Sequence, residues 1–173
     1  FFDLTADIRL GRPPGSTSLG ELNAHLLSAI GNVLETHRPG LVVVQGDTST
    51  ALQGAMAAFL AGVPVAHVEA GLRSGNLHQP FPEEMNRSVI GRLACWHFAP
   101  TAAAASALRR EQVPGDVHVT GNTIVDAVRL ALPRLPAPLP SHGERQLLVT
   151  MHRRENWGGG VRRVAQAVRR ALE

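Results

Sequence analysis

The sequence predicts a doubly wound α/β fold. Short runs of apolar, β-branched residues alternate with longer helical segments, the runs lack the in-and-out polarity of antiparallel strands, and polar clusters follow the runs rather than interrupt them. Alternation of this kind specifies a parallel sheet with right-handed crossovers and helices covering both faces. At 173 residues the chain is long enough to bury a core without a disulfide framework.

The elements follow in order. Residues 19–37 place Leu19, Leu22, Leu26, Ile30, Val33 and Leu34 at helical spacing, and Arg38-Pro39-Gly40 stops the helix. LVVVQ at 41–45 is almost continuously apolar and reads as a buried central parallel strand. An Ala-rich helix at 49–61 ends at Gly62, and VPVAHV at 63–68 reads as the next strand. The cycle repeats with a helix at about 83–93, the strand ACWHFA, a helix at 101–111, the strand DVHVT and a helix opening at Asn122. Four prolines in PRLPAPLP, at 133–140, forbid regular structure and mark a linker. Beyond it ERQLLVTM reads as a strand and the segment from Trp157 as a helix. The organisation expected is an N-terminal domain at 1–132 without its opening strand, a linker at 133–145, and the truncated start of a second domain at 146–173.

Composition excludes several classes. All 17 basic residues are arginine, net charge is only +3, and the arginines are scattered, so phosphate binding fits and a nucleic-acid stripe does not. No run of about 18 apolar residues and no basic leader is present, which leaves no membrane or secretion signal. The single cysteine, Cys95, lies in a mostly apolar run and is expected to be a buried, inert thiol, in keeping with a reducing cytoplasm. Walker A and G-x-G-x-x-G patterns are absent.

In open α/β sheets ligands bind beyond the carboxyl ends of the strands, so the residues after each run are the candidates. They are Gly46-Asp47-Thr48-Ser49-Thr50, then His67-Val68-Glu69-Ala70-Gly71-Leu72-Arg73, then Thr120-Gly121-Asn122-Thr123, and Thr150-Met151-His152-Arg153-Arg154. Each has a plain alternative. Asp47 and Asn122 are suited to cap the next helix, and His67, inside a strand, to be a hydrogen-bonded core residue. His118 alternates with valines and reads as structural. Glu69 is harder to dismiss, because a carboxylate at a strand end must be paired or functional. Glu83 and Glu84 suit the first turn of their helix, where Glu83 also stands four residues from Arg87, close enough to pair. His67, Glu69, His78 and His152 could be assembled into a metal set. Neither the C-x-x-C partner of an H-x-E deaminase nor an H-E-x-x-H helix occurs, so no metal is expected.

Together, QGDTST (45–50), HVEAGLRSGN (67–76), PFPEEMNR (80–87), TGNTIVDA (120–127) and MHRREN (151–156) closely resemble the non-hydrolysing UDP-N-acetylglucosamine 2-epimerases. The resemblance runs along nearly the whole chain, and HVEAGLRSGN followed by PFPEEMNR is its most specific part. It implies two Rossmann-like domains in a glycosyltransferase-B-like arrangement, a UDP-sugar held between them, no cofactor, and commonly a homodimer. It places the catalytic carboxylates on Asp47, Glu69 and Glu83 and the catalytic histidine on His152. His67, Arg73, Arg87, Asn122, Arg153 and Arg154 become candidates for holding substrate or orienting these groups. The family's G-T-R-P-E and Ser-Gly-Gly segments are absent, so the chain alone is expected to be inactive. A hydrolysing epimerase and a glycosyltransferase of similar fold are the alternatives.

Overall fold

The structure is a computed structural model that describes residues 2–11, 15, 18–135, 147–151 and 159–172. Its contacts divide the chain into two compact units, Phe1–Val125 and Asp126–Glu173.

The first unit begins with α1 (Leu19–His37). Ser18 caps it by accepting from the Glu21 amide while the Glu21 carboxylate accepts from the Ser18 amide, so two orphan donors are satisfied reciprocally. The helix stops where Arg38 turns into the left-handed region, at φ 44°. There follow β1 (Val42–Gln45), α2 (Ser49–Leu60), β2 (Val65–Val68), α3 (Glu83–Leu93), β3 (Trp96–Ala99), α4 (Ala102–Arg110), β4 (Asp116–Val119) and α5 (Thr123–Ala131). Thr48 and Thr101 cap α2 and α4 through their hydroxyls.

All four strands are parallel and pair in the order β1-β2-β3-β4. This is the α/β fold expected, with one topological consequence that hydropathy does not carry. When successive strands add in one direction through right-handed crossovers, their helices fall on one side of the sheet. The register puts Val44, His67, His97 and Val117 in one row across the sheet. On that face Val44 and Val65 pack with Leu52, Ala55, Ala58 and Ile90, and Ala99 packs with Ala105 and Leu108. The opposite face is only partly covered among the described residues: Val43 is 60% exposed, and Trp96 and Phe98 are half-buried.

Two expectations change. Among the described residues β1 pairs with β2, and Leu41 and Val43 are exposed rather than buried. Cys95 is exposed rather than buried. It precedes β3, where its amide donates to the Val65 carbonyl and its carbonyl accepts from Asp116, and the ladder fixes the backbone while leaving the thiol uncovered. Apolar neighbours in sequence report on the strand interior, not on its entry.

The second unit contains the end of α5, a short 3-10 turn at Leu132–Arg134, and α6 (Gly159–Leu172). The expected strand at 144–151 is described only from Leu147, and Leu147–Met151 pairs with no strand among the described residues. A strand is defined by its ladder partner, and none stands beside this segment among the described residues. Most of the expected linker lies outside the described residues.

Candidate active site

The site is built at the carboxyl ends of β1 and β2. The chain leaves β1 through Gly46, whose φ of 69° suits glycine, and whose amide donates to the Val68 carbonyl. His67 stands inside β2, fully buried, and its Nε2 lies 2.8 Å from the Gly46 carbonyl oxygen. A carbonyl can only accept, so the proton sits on Nε2 and Nδ1 is left a bare acceptor, for which no partner exists among the described residues. Burial, the largest influence, pushes the His67 pKa down to about 4, against the smaller upward pull of the Gly46 hydrogen bond. His67 is thus a neutral peg beneath the Gly46-Asp47 turn, with no ring atom at the surface. In the next strand His97 repeats the arrangement, with Nε2 donating to the Pro114 carbonyl at 2.8 Å and its pKa lowered chiefly by burial.

Asp47 is free of the capping role, because Thr48 takes it. Its carboxylate is held instead by Arg87 of α3, and its carbonyl accepts from the Asn86 amide at 2.7 Å. The expected pairing of Arg87 with Glu83 is not what forms. Arg87 lies between Asp47 and Glu84, the latter at 3.3 Å in an ion pair that lacks hydrogen-bond geometry. Glu84 is 2% exposed, and its Oε1 accepts from the amides of Ser74 and Gly75 at 2.9 and 3.1 Å. This residue was not singled out in the sequence. The pattern of α3 gives no signal for it: Met85, Val89, Ile90 and Leu93 form the apolar stripe packed on the core, Glu84 lies on the other side of the helix, and it is the amides of Ser74 and Gly75 that bury it there.

Glu69 follows β2 in the left-handed region, at φ 65°. A side chain with a Cβ in that region costs about 1–3 kcal/mol and persists where the surroundings over-determine it. The conformation brings the carboxylate over the neighbouring turn, with Oε2 3.9 Å from the position of a Cβ on Gly46. Gly71, two residues on, anchors the loop that follows. With φ of 90° it lies so close to α4 that a Cβ would collide with the Ala104 carbonyl. Glu83 opens α3 one turn before Arg87, hence on the same helix side, and is half-buried.

The structure therefore gathers Asp47, Arg87, Glu84 and Asn86 around one strand end, with His67, Gly46 and Glu69 beside them. Arg73 is engaged elsewhere: its guanidinium binds Glu111 through two contacts of 2.7 and 2.9 Å and the Leu72 carbonyl at 2.8 Å. Asn122 accepts from the Ile124 amide at 3.0 Å, a capping contact at the start of α5. Gln45 at the end of β1 donates to Thr123 at 3.2 Å. His118 is exposed and stacks on Phe98. His152, Arg153 and Arg154 lie outside the described residues. No group of three or more His, Cys, Asp or Glu that could hold a metal occurs among the described residues, and no described helix is long and apolar enough to cross a membrane.

Comparison with known proteins gives this geometry a context. The family model for UDP-N-acetylglucosamine 2-epimerase matches residues 1–173. A probable UDP-N-acetylglucosamine 2-epimerase of Ralstonia nicotianae is 47% identical over 96% of this chain and 48% of its own length. The crystal structure of UDP-GlcNAc 2-epimerase from Neisseria meningitidis bound to UDP-GlcNAc superposes with a TM-score of 0.93 at 37% identity, covering 98% of this chain and 49% of that one. The S. aureus MnaA-UDP co-structure gives 0.82 at 40% identity, over 91% of this chain and 44% of that one. The chain thus spans about half the length of the relatives it matches. With the match running along the whole sequence and the fold shared at this level of identity, the chain belongs to the UDP-N-acetylglucosamine 2-epimerase family.

Proposed function

We propose that this chain contributes the carboxylate half of a non-hydrolysing epimerase that interconverts UDP-N-acetylglucosamine and UDP-N-acetylmannosamine, supplying precursors of cell-surface polysaccharide. The reading rests on one observation above others: Glu69, strained into the left-handed region, lies beside the turn that carries Asp47, whose carboxylate is already fixed by Arg87.

The reaction makes two demands that such a site suits. The C2–H bond and the C1–O bond to UDP break, giving a 2-acetamidoglucal and free UDP. The diphosphate oxygen then returns to C1 while a proton is delivered to the opposite face of C2. Positive charge that develops at C1 as UDP leaves is stabilised by a carboxylate, and proton removal and delivery call for an acid/base group on each face of the ring. Asp47, Glu69 and Glu83 supply such groups. His152, with Arg153 or Arg154, is assigned to the departing diphosphate, and the active form is a homodimer of the full-length protein. A UDP-sugar bound to the Neisseria relative supports the substrate class.

The test is proton NMR of the full-length protein with UDP-GlcNAc in D2O. Both UDP-sugars should appear with deuterium at C2 and no free sugar should accumulate, and the 173-residue chain alone should give no turnover. Glu69→Gln and Asp47→Asn should each lower kcat by about 10²–10⁴, the usual range for general acid/base groups. Release of free N-acetylmannosamine would replace this reading with a hydrolysing one. UDP release that requires an added acceptor would replace it with glycosyl transfer.

A further inference from the structure

We infer that Glu84 is a positioning residue of this site, setting the Asp47 carboxylate through Arg87 and tying the 71–82 segment to the same helix turn. The inference rests on the functional reading above for its activity arm only.

Three observations carry it. First, Glu84 is a carboxylate buried to 2% exposure, a placement that is destabilising unless the group is paired and hydrogen-bonded. Its Oε1 accepts two successive amides, from Ser74 and Gly75, so one oxygen is wholly committed to the loop. Second, its other oxygen lies 3.3 Å from Nη1 of Arg87 without hydrogen-bond geometry, while Nη2 of the same guanidinium is bonded to Asp47. The guanidinium is planar and rigid, so a charge at one of its nitrogens restricts where the other can point. Third, α3 supplies a second tether to the same turn, because the Asn86 amide holds the Asp47 carbonyl. Asp47 is thereby fixed at its backbone by Asn86 and at its carboxylate by Arg87, and Glu84 is the group that fixes Arg87.

The segment from Gly71 to the start of α3 enters through the same carboxylate. It is bonded within itself, with Gln79 donating to the Asn76 carbonyl at 2.9 Å and the Ser74 hydroxyl donating to Asn76 at 3.2 Å. Glu84 links it to the side chains of α3 through the Ser74 and Gly75 amides, so the position of this loop and the direction of Asp47 are set by one group. Glu84 touches neither reacting atom in this scheme. It acts through Arg87, where Glu83, its neighbour in sequence, stands as the proton-transfer candidate.

A double-mutant cycle on the full-length protein tests this. Glu84→Gln keeps an oxygen for Ser74 and Gly75 but removes the charge facing Arg87. It should lower kcat for UDP-GlcNAc at least tenfold and move KM less than threefold. In an Asp47→Asn background the same change should cost less than about twofold, since groups acting as one unit are not additive. Equal losses in both backgrounds, or a kcat within twofold of the parent, would overturn the inference. If Glu84→Gln does not fold, Glu84→Asp, which keeps the charge but draws the carboxylate back from Arg87 by one methylene, takes its place in the cycle with the same two outcomes. If the parent does not turn over UDP-GlcNAc, the functional reading fails and the positioning role is then read from urea unfolding. Coupling of at least threefold between Glu84→Gln and Asp47→Asn in the unfolding constant supports it, and additivity overturns it.

Discussion

Unit Phe1–Val125 and unit Asp126–Glu173 carry the same kind of sequence, apolar runs leading into amphipathic helices, and expose very different surfaces. In the first, Ala55, Ala58, Ile90 and Leu108 have no exposed area, and a charged cluster is folded in beside them. In the second, none of the described residues is buried. Leu148 is 90% exposed and Leu147 59%, while Val149, Met151, Val161 and Val164 line an open hollow of about 620 Å³. Helical spacing produces α6 as readily as α1, but burial is a property of what packs against an element. The units differ in neighbours rather than in pattern.

The comparison breaks most visibly at Gly71. Alanine there meets the Ala104 carbonyl and a backbone at φ 90°, two penalties that cannot be relieved together. Gly71→Ala should cost more than about 4 kcal/mol, seen as loss of the cooperative urea transition of the first unit. A variant that unfolds at the parent's midpoint would show that the loop and α4 are not packed this closely. Leu108→Ala comes next. It removes a fully buried side chain from the Ala99 and Ala105 cluster and should cost about 2–5 kcal/mol by the same measurement.

These sites also show which parts of the protein were legible beforehand. Helix α1 was readable to the residue because six apolar side chains share one face and Arg38-Pro39-Gly40 ends it. Strands were readable as existing, yet β2 starts two residues later than its apolar run, since ladder pairing rather than hydropathy defines a strand. The exposure of Leu41 and Val43 was not readable, because what covers a strand face is a tertiary fact and a valine-rich run looks the same covered or uncovered. At the site, Asp47 and Glu69 stood out by following apolar runs. Glu84 did not, because two adjacent glutamates in a first turn look interchangeable, and it is the Ser74 and Gly75 amides of the preceding loop that bury one of them. Arg73 looked like an orienting partner of the carboxylates, and its Glu111 contact lies 38 residues away in sequence, beyond any local pattern.

Acid sharpens the same contrast, because the buried titratable pegs belong to the first unit. His67 has a folded pKa lowered to about 4, against about 6.5 for an unfolded histidine, so the unfolded chain takes up its proton first as pH falls. The stability gained by holding His67 neutral is full above about pH 6.5 and is lost as pH drops through about 4. It amounts to on the order of 3 kcal/mol across that window. His97 adds a slope of the same sign. His67→Gln, whose amide can still donate to the Gly46 carbonyl, should flatten the decline in urea midpoint between pH 6.5 and 4 without removing the part due to His97. An unchanged slope would mean that His67 is not the neutral peg described.

The smallest effect belongs to the second unit and decides whether the contrast is one of neighbours. Val164 is 36% exposed on α6 and lines the open hollow, so replacing it removes less packed area and less hydrophobic stabilisation than at a fully buried site such as Leu108. In the 173-residue chain Val164→Ser should change the urea midpoint by an amount equivalent to less than about 1 kcal/mol, since serine and valine have nearly equal helix propensity and only partly covered apolar surface is lost. Leu108→Ala in the same chain should shift it several times further. A penalty at Val164 equal to that at Leu108 would show the α6 stripe to be covered. The two units would then differ in degree of packing rather than in what packs against them.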